Sequence, residues 1–101
     1  MPLKVVLQDI RSVERSRVIP PDALLNRILP IDDDSYPLLQ YVDEYGNTIF
    51  NGRQMRQFLK EWDLIMSRAE SQGGKESLQQ IRRLAEECQE HPHLFLRFIG
   101  D

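Results

Sequence analysis

Apolar positions in this chain first alternate, then cluster, then step in threes and fours. In Leu3-Lys4-Val5-Val6-Leu7-Gln8, Leu3, Val5 and Leu7 fall on one side of a pleated strand. A second, weaker strand is expected around Arg17-Val18-Ile19, stopped by Pro20-Pro21. Asp22 to Leu29 reads as a short helix, with Leu24, Leu25 and Ile28 on one side and Pro30 at its end. Two strands, Leu38–Val42 and Asn47–Phe50, flank Asp43-Glu44-Tyr45-Gly46. That spacing predicts a hairpin whose turn uses the conformational freedom of Gly46.

The strongest local signal comes next. Asn51 followed by Gln54 has the spacing of a capping box, and Phe50 with Met55 has that of a hydrophobic staple. Met55, Phe58, Leu59, Trp62, Ile65, Met66 and Ala69 then form an apolar stripe. It predicts a helix over about 52–70 that points Arg53, Arg56, Lys60, Glu61, Asp63 and Arg68 elsewhere. Gln72-Gly73-Gly74 is expected to end it, since glycine commonly follows a helix. Leu78, Ile81, Leu84, Ala85 and Cys88 mark a second helix over about 75–90. The short linker predicts an antiparallel helical hairpin. Leu94-Phe95-Leu96-Arg97-Phe98-Ile99 reads as a strand buried on both faces, paired with the first strand.

The helical hairpin needs an apolar surface to cover, and only a sheet built from these strands is large enough. The expected architecture is therefore a single two-layer α+β domain over residues 1–101, a small, mostly antiparallel sheet covered by an αα-hairpin. The proportions of the 101 residues agree with this, at 41% hydrophobic and 29% charged. One cysteine, Cys88, excludes an internal disulfide. With no export signal or long apolar run, the expectation is a cytoplasmic protein that does not enter membranes.

Charge changes the functional picture more than the fold. The net charge is −3, and residues 1–51 hold eight acidic against five basic residues, so the excess lies in that half. Phosphate backbones need clustered Lys and Arg, so nucleic acid is not an expected partner. Asp32, Asp33 and Asp34, with Asp43 and Glu44 beyond them, form the acidic region, and Tyr36, Tyr41 and Tyr45 are interleaved with it. Tyrosine suits interfaces because it joins apolar area to a hydroxyl. Tyr45, at the hairpin tip, is the one expected in solvent; Tyr36 and Tyr41 are expected at the edge of the core.

Catalytic signatures are missing. The chain has no phosphate-binding glycine loop, no Gly-x-Ser-x-Gly and no His-Glu-x-x-His. Cys88, His91 and His93 have thiolate and imidazole chemistry suited to zinc, but Cys88 falls on the apolar helix face and is expected in the core. The triple aspartate lacks the spacing of a calcium loop and reads as a solvated turn. No catalytic residue and no cofactor is assigned.

Tyr45-Gly46-Asn47-Thr48-Ile49-Phe50-Asn51, with Phe98-Ile99-Gly100-Asp101 at the end, resembles a family of small uncharacterised bacterial proteins. They share a Tyr-Gly-(Asn/Asp)-Thr-(Ile/Val)-Phe-Asn stretch. The resemblance implies no activity and transfers no site residue. The expected function is then a non-catalytic binding module. Asp32, Asp33, Asp34, Asp43, Glu44 and Tyr45 would meet a basic protein surface, as an immunity or inhibitor protein would. The competing expectations are a small metal-dependent hydrolase built on the acidic loop or on Cys88, His91 and His93, and a structural subunit of a homo-oligomer.

Overall fold

The computed structural model describes residues 2–100. Strands β1 (Lys4–Asp9), β2 (Glu14–Val18), β3 (Asn47–Asn51) and β4 (Leu94–Ile99) form one antiparallel sheet in the order β2-β1-β4-β3. Helices α1 (Leu24–Ile28), α2 (Met55–Ile65) and α3 (Gln72–Glu90) complete a two-layer α+β fold. The last strand does pair with the first, Val5 opposite Phe98 and Leu7 opposite Leu96. Among the described residues no helix is long and apolar enough to cross a membrane.

The register places Val5, Leu7, Leu96, Phe98 and Phe50 on the face that meets the helices. Phe98 lies at the centre of an aromatic cluster there. Its ring centroid is 5.9 Å from Phe50, 6.0 Å from Phe58 and 6.1 Å from Trp62, while Phe58 and Trp62 stack at 5.2 Å. The Trp62 indole N–H donates to the Leu78 carbonyl at 3.0 Å, so its one polar atom is satisfied against α3. On the outer side of the helix pair, Arg82 grips Asp63 with two bonds of 2.7 and 3.1 Å. Gly52, just before α2, lies against Cys88 and Trp62 against Leu78, so contacts that rise along α2 fall along α3, as an antiparallel hairpin requires.

The entry to α2 follows the sequence signal. Asn51 Oδ1 accepts from the Gln54 N–H, and Gln54 Oε1 accepts from the Asn51 N–H, a complete capping box. One tight turn, Gly52–Gln54, precedes the α-helix. A Cβ on Gly52 would lie 2.9 Å from the Cys88 carbonyl, so glycine lets the start of α2 approach the end of α3.

The structure corrects several expectations. Leu38–Val42 is not a strand: Leu39–Tyr41 forms a tight helical turn, and β3 pairs with β4 instead of with that segment. The hairpin belongs to β1 and β2, with β2 beginning at Glu14. Gly73 and Gly74 do not end α2; they lie in the first turn of α3, where Ser71 Oγ accepts from the Gly74 N–H. The earlier helix stops sooner, through a turn at Met66–Arg68 and extended backbone at Ala69. Before α1, Asp22 and Ala23 adopt positive φ, so only Leu24–Ile28 is α-helical. Finally, β4 is buried on one face only. Phe95, Arg97 and Ile99 are half-buried on a sheet face that, among the described residues, carries no second layer of secondary structure.

Arg97 spans that outer face. Its Nε donates to Asn47 Oδ1 at 3.0 Å and its Nη1 to Gln8 Oε1 at 3.3 Å, linking β3, β4 and β1. It lies directly across from Val6, which is buried although it points outward.

Removing Trp62 deletes both the stacking partner of Phe58 and the bond to Leu78. Trp62→Ala is expected to cost about 3–5 kcal/mol, read as a lowered urea midpoint with an unchanged slope.

Candidate functional site

The acidic segment between α1 and β3 has no ladder to hold it, so its backbone bonds must close locally. The Asp33 N–H donates to Pro30, the Tyr36 N–H to Asp33, the Gln40 N–H to Tyr36 and the Asp32 N–H to Gln40, at 3.0 to 3.2 Å. Asp32 takes φ of 62°, a conformation that aspartate tolerates better than most residues. Asp33 turns its carboxylate back onto the Ser35 N–H and hydroxyl, which holds its pKa below the ordinary aspartate value. At the next turn the Asp43 carboxylate accepts the Tyr45 N–H at 2.8 Å, while the Asp43 N–H donates to Thr48 Oγ1 at 2.9 Å.

Two distant side chains fix this segment to the helices. Glu61, only 2% exposed, accepts the N–H groups of Leu38 and Leu39 at 3.0 and 2.9 Å and the Gln57 amide at 2.9 Å. Arg68 donates to the Ile28 carbonyl at 2.8 Å and to the Tyr36 hydroxyl at 3.1 Å, and its guanidinium lies 5.5 Å from the Tyr36 ring centre. Sequence reasoning placed Glu61 off the apolar stripe. Its spacing of three from Phe58 and four from Ile65 was the available signal that it shares their face.

The result is a surface groove of about 350 Å³ in which Asp32, Asp43, Glu44 and Tyr45 come together. Tyr41 joins them from the turn. It is 71% exposed, beside 81% for Tyr45, so Tyr41 is not at the core edge as its position suggested; Tyr36 is half-buried against the core. Asp33 and Asp34 do not line the groove: Asp33 is engaged with Ser35, and Asp34 is exposed beside it. The arrangement offers a local negative potential with two exposed phenol rings, which is recognition chemistry.

Cys88, His91 and His93 do not converge. The Cys88 side chain is buried and its thiol donates to the Leu94 carbonyl at 3.4 Å. Both histidines are exposed, with ring centroids 5.9 Å apart. Among the described residues no group of three His, Cys, Asp or Glu side chains is placed to hold a metal ion. A larger groove of about 510 Å³, between the start of α2 and the end of α3, is lined by Asn51, Gly52, Arg53, Gln89 and Pro92. None of these is a carboxylate, thiol or imidazole, so this groove lacks the groups for acid–base or nucleophilic work. Compared with protein-family models, curated proteins and solved structures, the chain matches none of them.

Burial pushes the Cys88 thiol up to about 11, from an ordinary value near 9. Well below pH 9 the thiol is protonated in both folded and unfolded chains, and its titration leaves stability unchanged. Between about pH 9 and 11 the unfolded thiol ionises first, so stability is expected to fall as pH rises, and Cys88→Ala should flatten that fall. Native Cys88 should resist iodoacetamide at pH 8 and react once urea unfolds the chain. For the acidic segment, Glu61→Ala is expected to cost about 3 kcal/mol. The same change should speed hydrogen exchange at the Leu38 and Leu39 amides far more than at the β1–β4 ladder.

Proposed function

We propose that this chain is a non-catalytic interaction module that recognises a basic protein surface through the groove of Asp32, Asp43 and Glu44. What supports the reading most is one juxtaposition. Three carboxylates meet the two most exposed tyrosines, Tyr41 and Tyr45, on a segment tied down from beneath by Glu61 and Arg68. A surface held in place before contact loses less entropy on binding than a loose loop would.

In this reading the acids act at long range and the rings at short range. Asp33 and Asp34 add to the field without touching the partner, so they affect the encounter rate. Asp32 and Glu44 meet Lys or Arg side chains directly, and Tyr41 and Tyr45 stack on their stems or guanidinium planes. Masking of a basic enzyme surface by an inhibitor is one activity of this type. Partner specificity would come from the distance between the acidic turn and the Asp32 loop.

The test is affinity capture from a lysate of the native host. Wild-type protein should retain basic proteins at low salt and release them as ionic strength rises. Asp32→Lys with Glu44→Lys should abolish retention, and Tyr45→Ala should weaken it about tenfold. An identical set of proteins on the wild type and the double variant would overturn the reading.

A further inference from the structure

The sheet has two free edges, and they are built differently. Edge strand β2 carries Glu14, Arg15 and Arg17, and its ladder with β1 is broken by an irregularity at Leu7/Gln8. Charges and bulges of this kind discourage another strand from adding. Edge strand β3, Asn47-Thr48-Ile49-Phe50-Asn51, has no charge, no proline and a continuous register with β4.

Ladder geometry identifies which β3 groups face outward. The Gly100 N–H donates to the Gly46 carbonyl at 2.7 Å, in the same register that sets Asn47 opposite Ile99. Bonded and non-bonded pairs alternate in an antiparallel ladder. Thr48 and Phe50 therefore bond to β4, while Asn47, Ile49 and Asn51 direct their N–H and C=O groups away from it. The Asn51 N–H agrees, since it is taken by Gln54. No bond among the described residues takes up the N–H or C=O of Asn47 or Ile49.

We propose that two copies of this chain join through their β3 edges, antiparallel about a two-fold axis at Thr48, to form a continuous eight-stranded sheet. In that register Asn47 pairs with the partner's Ile49 and Ile49 with the partner's Asn47. Four hydrogen bonds then use every unpaired outward group of the two residues. Ile49, 53% exposed in the monomer, meets the partner's Ile49 as a diagonal neighbour on the outer face. The same axis sets Tyr45 opposite the partner's Asn51 and brings the Asp43–Glu44 turn abreast of the partner's Arg53. Arg53 is exposed and makes no ion pair among the described residues. One end of the edge is acidic and the other basic, so an antiparallel two-fold matches opposite charges twice. A foreign strand would satisfy the backbone groups, but a second copy also answers the charge at both ends. The proposal rests on the preceding reading only for this charge match, in which the basic surface facing the acidic turn is another copy's Arg53.

Sedimentation equilibrium of the full chain tests it. The wild type should approach twice the monomer mass at tens to hundreds of micromolar. Ile49→Pro removes an outward N–H while leaving the bonds of Thr48 and Phe50 to β4 intact, and should sediment as a folded monomer. Ile49→Lys, which places a charge on the edge, should do the same if the proline variant loses its far-ultraviolet circular dichroism. Arg53→Glu should weaken the dimer about tenfold by setting acid against acid. Adding Glu44→Arg to Arg53→Glu should restore it. A wild type that stays monomeric throughout overturns the dimer, as does a dimer that survives both Ile49 variants. A monomer that still captures basic proteins in a salt-dependent manner would remove this proposal and leave the preceding reading standing. A dimer whose wild type captures nothing would do the reverse.

Discussion

Phe98 is the residue through which the two layers are joined. It sits on β4, an interior strand of the sheet, and its ring contacts Phe50 from β3 and Phe58 and Trp62 from α2. Trp62 passes the connection on to α3 through the Leu78 carbonyl. Among the described residues the helices pack on one face of the sheet, so most of its apolar burial comes through this one interface, with Val6 buried on the other face. That explains why the buried aromatic rings concentrate here. The outer face is covered only thinly, with the Arg97 side chain bridging Asn47 and Gln8.

The irregular segment between α1 and β3 is stabilised differently. Residues 30–46 contribute Leu39 and Val42 to the core, but their backbone finds no strand to join. Asx-type turns at Asp33 and Asp43 close it locally. Glu61 and Arg68 then act as long-range anchors, one taking donors and the other supplying them. An acid buried on the inner side of α2 therefore holds in place a surface whose own acids face water. The groove consequently depends on the helix pair being docked, and the docking depends in turn on the aromatic interface.

The two sheet edges extend this logic to association. Both edges expose backbone donors and acceptors, yet only β2 carries the charges and the register break that deter pairing. At β3 the acidic turn lies at one end and Arg53 at the other, so the proposed recognition by charge and the proposed strand addition would share one side of the molecule.

Much of this protein is determined by neighbours in sequence. The Asn51–Gln54 cap, the helical stripe from Met55 to Ile65, the helix through Cys88, the β1 and β4 patterns and the concentration of acid before β3 all follow from local spacing and composition. Such features need only residues within a turn or two of one another. Other features depended on contacts between distant residues. Leu38–Val42 has the pattern of a strand, but the Glu61 carboxylate, more than twenty residues away, takes the Leu38 and Leu39 donors and bends the segment into a turn. Gly73 and Gly74 read as a stop, yet Ser71 caps the next helix over them. The choice of β4 as the partner of β3, the bare outer face and the meeting of Asp32 with Asp43 and Glu44 were decided in the same way. A buried donor accepts whichever partner the assembled fold brings within reach, and no short stretch of sequence specifies that partner.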